Sequence, residues 1–344
     1  MELSAGEVIR IGSRKSRLAV MQAELIRAQI ECAYPEIRTE LVTMKTTGDK
    51  ILDKSLETIG GKGLFVRELD QALLDGTIDL AVHSLKDLPM EENEELPIAA
   101  YSVREDPRDV LIFRTGMGSF PQNGILGTSS RRRAIQMKQM YPDCSLRGIR
   151  GNVQTRLRKL EEEGMDGTIL AAAGLKRLGI SLPGRYFSVE EMIPAAGQGI
   201  LAVQIRKDGK LQYMSGMLEC GKLLCAHNRE SEWAALAERQ FVRTLDGGCT
   251  SPVAAHAQIS GKELKLTGLY FEEGMETFRT DTITGAVETA KKLGEELAVR
   301  MKNMGGMQDD RERKSMACRS RSGRRRTSDG ENKTAALRSG CDRI

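Results

Sequence analysis

Residues 76–89 read GTIDLAVHSLKDLP, an apolar run over 78–82 followed at once by His83, Ser84, Lys86 and Asp87. A short apolar run of this kind predicts a buried strand, and the polar residues after it fall in the loop beyond its carboxyl end. In open α/β sheets that is where ligands bind. Adjacent Lys86 and Asp87 would ordinarily be a solvated surface pair; their place at a strand end makes them functional candidates as well. His83 reads instead as a half-buried histidine with its hydrogen bonds satisfied.

Outward from this stretch, strands and helices alternate. Residues 8–12 form a short apolar strand, and Ser16 can cap the helix that follows. Along that helix Leu18, Met21, Leu25, Ala28 and Cys32 recur at three- and four-residue steps, a stripe for packing on a sheet, and Pro35 stops it. Residues 41–44 read as a strand and 64–74 as a helix. A second unit runs from about 103 to 195, with strands over 110–113, 125–127 and 168–172 and helices before Pro142 and over 153–163. Such alternation implies parallel pairing in an α/β sheet. A strand over 200–205 can return to the first unit. From about 222 the pattern becomes a helix over 229–244, alternating runs over 253–259, 263–270 and 277–283, and a helix over 286–301, which together predict a small α+β domain.

At 344 residues the chain is too long for one ordinary core. Its basic surplus sits in a tail: residues 306–344 hold 11 basic and 6 acidic groups, against 41 and 42 in the rest. Few apolar residues and an Arg/Ser/Gly bias predict that this tail is disordered, and a nearly neutral body is no nucleic-acid-binding surface. Seven scattered cysteines, an odd number without a C-x-x-C pair, predict reduced thiols and no metal-ligand set. No apolar run approaches the ~20 residues that span a bilayer, and the first residues lack a signal-peptide pattern. The expectation is a cytoplasmic protein without membrane partners.

Three arginine groups share the logic of the opening stretch. Arg14 follows the first strand, Arg131, Arg132 and Arg133 follow Gly127-Thr128-Ser129-Ser130, and Arg150 and Arg156 flank Gly151-Asn152. Any one of them alone reads as a surface residue. Several at strand-to-helix turns, where helix N-termini already attract anions, point to a cleft for a polyanionic ligand. Two glycine-rich stretches are not nucleotide motifs: Gly60-Gly61-Lys62-Gly63 lacks the P-loop spacing, and Gly197-x-Gly199 has no strand before it. In Asp246-Gly247-Gly248-Cys249 the glycines place a cysteine in an open loop, although an isolated cysteine there reads first as incidental.

Seven collinear stretches resemble the porphobilinogen deaminase (hydroxymethylbilane synthase) family: IGSRKSRLA at 11–19, the run from 60 to 89, REDPRDV at 104–110, GTSSRRR at 127–133, IRGNVQTRLRKL at 149–160, ILAAAGLKRLG at 169–179 and LDGGCTSP at 245–252. The resemblance implies an α/β protein: two doubly wound lobes like those of periplasmic binding proteins, plus a smaller α+β C-terminal domain. The boundaries would be 1–102 with 201–219 for the first lobe, 103–200 for the second, 222–305 for the third domain and 306–344 for the tail. It implies a transferase of tetrapyrrole biosynthesis that condenses four porphobilinogen molecules head to tail, with loss of ammonia, on a covalent dipyrromethane primer. Water then releases hydroxymethylbilane.

Carried over residue by residue, the resemblance makes Asp87 catalytic and Cys249 the thioether anchor of the dipyrromethane. Lys86, Ser84, Ser129, Arg132, Arg133 and Gly151 would hold that cofactor, and Arg14, Ser13, Ser16, Arg150, Arg156 and Arg177 the substrate's acetate and propionate groups. A monomer is the implied state. Arg131 stands where the family commonly has leucine, and Ser13 where threonine is common. The competing reading is a two-lobed anion-binding protein without catalysis, which would have no use for Cys249 in an open loop. A nucleic-acid-binding protein would rest on the tail alone.

Overall fold

The structure, a computed structural model, describes residues 8–46, 66–213, 218–219, 222–246, 252–271 and 277–303. The glycine loop at 60–63, Cys249 and the tail 306–344 therefore lie outside the described residues.

Strand β1 (Val8–Arg14) leads into helix α1 (Arg17–Ala33), whose N-cap is Ser16, the hydroxyl accepting from Ala19 N at 3.3 Å. The helix ends ahead of Pro35, as predicted. Its inner face, however, is not the predicted stripe: Ala19, Ala23, Ile26 and Ile30 are buried, while Met21 and Leu25 are exposed. Both faces carry apolar residues at helical spacing, so periodicity alone does not say which one meets the sheet. Strand β2 (Arg38–Met44), helix α2 (Arg67–Leu74), strand β3 (Leu80–Ser84) and strand β4 (Ile98–Tyr101) follow. The chain then crosses to a second sheet.

That sheet is built from β5 (Asp109–Phe113), β6 (Ile125–Gly127), helix α3 (Arg131–Met140), β7 (Ser145–Arg147), helix α4 (Val153–Glu162), β8 (Gly167–Ala171), helix α5 (Ala172–Arg177) and β9 (Gly184–Tyr186). Strand β10 (Leu201–Ile205) returns to the first sheet. The two sheets have equivalent strand orders, β2-β1-β3-β10-β4 and β7-β6-β8-β5-β9.

Pairing is parallel, as expected, among β1, β2 and β3 and among β6, β7 and β8. It is antiparallel where β10 meets β3 and β4, and where β5 meets β8 and β9. Both β5 and β10 are the first strand made after a crossing between sheets. They arrive through a connecting segment rather than through a β-α-β unit, so the crossover that enforces parallel pairing is absent. The crossings, near residues 102–108 and 187–200, lie side by side: Ser102 N donates to Leu201 O at 2.9 Å and Glu105 N to Gly199 O at 3.1 Å.

After a two-strand ribbon, β11 (Leu218–Glu219) and β12 (Lys222–Leu223), the character changes. Helix α6 (Arg229–Thr244) packs on the antiparallel sheet of β13 (Ala254–Ser260), β14 (Glu263–Tyr270) and β15 (Arg279–Ala286). Phe241 of α6 and Leu266 of β14 share a core with Leu297, Ala298 and Met301 of a closing helix α7 over residues 290–303. This is the expected α+β arrangement. Met1–Met301 form one unit and Lys302–Ile344 a second, of which only the end of α7 is described. Among the described residues no helix is long and apolar enough to cross a membrane.

Candidate active site

Strand β3 ends at Ser84 and turns directly into a short 3₁₀ turn, Leu85–Asp87. Leu85 is fully buried and its N–H donates to Ile200 O at 3.0 Å, pinning the turn against the return crossing. Lys86 and Asp87 are thereby held half-buried at the carboxyl end of the first sheet. Lys86 Nζ donates to Gln198 Oε1 at 3.2 Å. Burial pushes the Lys86 ammonium down to about 8; the carboxylates of Asp87 and Asp109 oppose that shift, and the charges of Arg133 and Arg132 add to it.

The arginines come from the second sheet. Ser130 caps α3, accepting from Arg133 N at 3.4 Å, and the two arginines behind it turn inward. Arg132 Nη1 donates to Asp109 Oδ2 at 2.7 Å and to Ile193 O at 2.8 Å; Arg133 Nη2 donates to Asp109 Oδ1 at 2.8 Å and Nη1 to Ile169 O at 2.7 Å. Expected to hold the cofactor, they are buried and share the internal carboxylate of Asp109. Guanidinium groups in a low-dielectric interior require such a partner. Although burial pushes the Asp109 carboxyl up, Arg132 and Arg133 hold it well below the ordinary carboxylate range. Arg133 Nε is buried and has no hydrogen-bond partner among the described residues. Arg131 is exposed.

Asn152 caps α4 by accepting from Thr155 N at 2.9 Å, and Arg156 one turn in donates through Nε to Gly151 O at 2.8 Å. Burial pushes the Arg156 guanidinium down to about 10; Arg133 and Arg150 add to this by like-charge repulsion, while Asp87 opposes it. Among the described residues, Lys86, Arg132, Arg133, Arg150 and Arg156 thus act on one another beside the carboxylates of Asp87 and Asp109. Five cations against two anions leave a positive excess that an anionic ligand would neutralise.

The remaining predicted residues divide. Ser84 exchanges hydrogen bonds with the Gln22 amide, Gln22 Nε2 lying 3.0 Å from its Oγ, and Ser129 Oγ donates to Ile149 O at 2.9 Å while staying exposed. Arg177 Nη2 donates to Gly199 O at 2.6 Å, and burial lowers its pKa. Ser13 does not present a hydroxyl to a ligand: it has no exposed surface and donates to Arg14 O at 3.1 Å, because β1 turns this residue inward. His83 is buried rather than half-buried, paired in register with Ala202 of β10, and burial, with Arg14 adding to it, pushes its pKa down to about 4. It stays neutral. Cys249 lies outside the described residues.

Sequence reasoning passed over Asp109 and Gln198, the two groups that tie this site together. Gln198 Nε2 donates to Pro107 O at 2.7 Å and to Asp109 Oδ1 at 3.0 Å. A signal existed for Asp109: it opens the apolar strand DVLIF, where a charge must find a buried partner.

Comparison with known proteins gives the following. The model "Porphobilinogen deaminase, dipyromethane cofactor binding domain" matches residues 9–213, and "Porphobilinogen deaminase, C-terminal domain" matches residues 233–303. A porphobilinogen deaminase of Ruminiclostridium josui is 50% identical over 300 residues, spanning 86% of this chain and 98% of the relative. One of Acetivibrio thermocellus is 48% identical over 294 residues, 85% of this chain and 97% of the relative. Among solved structures, the periplasmic aliphatic sulphonate binding protein SsuA of Escherichia coli aligns with 70% of this chain and 71% of its own at 12% identity, with a TM-score of 0.37.

Proposed function

The chain belongs to the porphobilinogen deaminase family, and from that premise we propose that Asp87 handles the protons of a pyrrole condensation while the surrounding cations hold the pyrroles' acidic side chains. The overall reaction is the head-to-tail joining of porphobilinogen with loss of ammonia, carried by a dipyrromethane cofactor. The observation that supports this assignment of roles is that, among the described residues, five cations, Lys86, Arg132, Arg133, Arg150 and Arg156, gather beside the carboxylates of Asp87 and Asp109.

The residues present fit that cofactor. A pyrrole bearing acetate and propionate groups would bring acceptors to the buried Arg133 Nε, which has no hydrogen-bond partner among the described residues, and to the Arg156 guanidinium, whose Nε is bonded to a carbonyl. When bound, the dipyrromethane supplies a nucleophilic ring carbon and a covalent tether through the sulfur of Cys249.

The protein's own groups do the rest. Asp87 lies on the turn that Leu85 pins to Ile200 O, at the strand end where incoming porphobilinogen would meet it. Its carboxylate stabilises the positive charge that develops as ammonia leaves and accepts the ring proton lost after carbon–carbon bond formation. Lys86, Arg150 and the Nε of Arg133 bind carboxylates, each charge-assisted bond contributing about 1.5–3 kcal/mol, while Arg132, fixed on Asp109, lends its charge to the cofactor site. Arg156, Arg14 and Arg177 extend the same surface. On this reading the boundaries 1–102 with 201–219, 103–200 and 222–305 separate two binding lobes from the domain that carries Cys249. The protein works as a cytoplasmic monomer.

Intact-mass spectrometry tests the assignment. The purified protein should carry an adduct of two pyrrole units that maps to Cys249, and Cys249→Ser should not retain it. A bare Cys249 thiol in fully active protein would overturn the reading.

A further inference from the structure

The segment Gly197-Gln198-Gly199, unsuited to a nucleotide, has another use. It is the return crossing from the second sheet to the first, and it is held from every side. Gly197 N donates to Glu238 Oε2 at 2.7 Å, and Gly199 O accepts from Arg177 Nη2 at 2.6 Å and from Glu105 N at 3.1 Å. Both glycines have positive φ, +75° and +92°. A Cβ at 197 would lie 2.7 Å from Leu85, the anchor of the Lys86–Asp87 turn, and one at 199 would lie 2.2 Å from Glu105 O. Only glycine lets the backbone pass this close, and the passage drives the Gln198 side chain into the protein, where it has no exposed surface.

A buried amide must satisfy both ends. Gln198 Oε1 accepts from Lys86 Nζ at 3.2 Å, and Nε2 donates to Asp109 Oδ1 at 3.0 Å and Pro107 O at 2.7 Å. Asp109 in turn holds Arg132 and Arg133. One amide therefore joins the cation of the first lobe's turn to the arginine pair of the second.

We propose that Gln198 is a positioning residue: it sets Lys86 and the Arg132–Arg133 pair in register so that both lobes grip the same dipyrromethane. This rests on the reading of Lys86 and the arginine pair as cofactor-binding groups. A neutral amide suits the task. It satisfies an ammonium and a carboxylate at once, whereas a charged side chain would repel one of them.

The test compares Gln198→Met, Gln198→Glu, Lys86→Met and the double variant Gln198→Met/Lys86→Met, all as full chains. Three readouts are taken: the fraction carrying the two-pyrrole adduct, kcat and KM separately, and the pH dependence of Lys86 acetylation by acetic anhydride. Gln198→Met removes an acceptor from the ammonium, so Lys86 is acetylated at lower pH; Gln198→Glu adds a negative charge, so acetylation moves to higher pH. A residue with a merely structural role would not shift the two in opposite directions. Gln198→Met is expected to lower loading and to raise KM about tenfold, and the double variant to be no worse than Lys86→Met within about twofold. Acetylation shifts that are absent or of one sign, or losses that multiply in the double variant, would overturn the proposal. If Gln198→Met does not fold, the Gln198→Glu shift decides alone. If Lys86→Met itself loads and turns over normally, the cofactor-site reading fails instead.

Discussion

Glu238, a residue with no exposed surface, takes Nη2 of Arg104 on both carboxylate oxygens, at 2.8 and 2.7 Å. The same carboxylate accepts from Ala257 N and Gly197 N, each at 2.7 Å. Arg104 lies on the outward crossing between the sheets and Gly197 on the return one, while Glu238 and Ala257 belong to the third sheet and its helix. One side chain therefore ties the third domain to both crossings.

Breaking this pair should cost far more than its formation gains, because removing one partner strands a buried charge. Arg104→Ala is expected to destabilise the protein by about 3–5 kcal/mol, read as a lowered urea midpoint. Glu238→Gln, which leaves Arg104 without its counter-charge, should fall in the same range. A change under about 1 kcal/mol in either variant would show that the clamp does not bear load.

Lys86 gives a pH dependence with a definite sign. Its pKa in the folded protein without cofactor is pushed by burial to about 8, below the ~10.4 of an unfolded lysine. The folded state therefore binds fewer protons between these values, so the charged form costs stability below about 8 and the cost fades as pH rises toward ~10.4. Carboxylate capture runs the other way, since it needs the ammonium. Loading of the cofactor-free protein by porphobilinogen should decline as pH passes about 8. Lys86→Arg, always charged, should remove that decline. A Lys86→Arg profile that follows the wild type would exclude Lys86 as its source.

Much of this could be read from the chain itself, and the limits have physical causes. The turn carrying Lys86 and Asp87 was legible because a buried strand delivers its loop to the sheet edge. The Ser16 cap and the stop at Pro35 are local rules, and they hold. The inner face of α1 was not legible, since apolar spacing marks two faces and only the sheet chooses between them. The same is true of β10 and β5, whose direction depends on the crossings that deliver them to partner strands dozens of residues away, β3 for one and β8 for the other. Asp109 and Gln198 were missed for a related reason: their meaning lies in partners 23 to 112 positions distant, Arg132 for one and Lys86 for the other.

Asp87→Asn keeps the size of the side chain and a hydrogen-bonding tip but removes the charge that stabilises a developing cation. Turnover should fall by roughly 10²–10⁴-fold, the usual scale for a general acid–base group, with KM changed little. The adduct on Cys249 should persist when the variant is supplied with preformed primer. Near-normal kcat would move the proton chemistry to another residue.

Arg156 separates binding from stability most sharply. Among the described residues its guanidinium makes one hydrogen bond, to Gly151 O at 2.8 Å, and burial with repulsion from Arg133 and Arg150 pushes it down to about 10. A cation in that state is poorly compensated by the protein and destabilises the fold until an anion arrives. Arg156→Met, which keeps the apolar stem and removes the charge, should leave the melting temperature unchanged or raise it. The same variant should raise KM for porphobilinogen by tenfold or more, the equivalent of about 1.4 kcal/mol, because a carboxylate loses its partner. Stability and binding then move in opposite directions, the trade expected where a site is strained for function. If the melting temperature and the affinity fell together, Arg156 would be a structural residue whose tie to Gly151 O matters more than its charge.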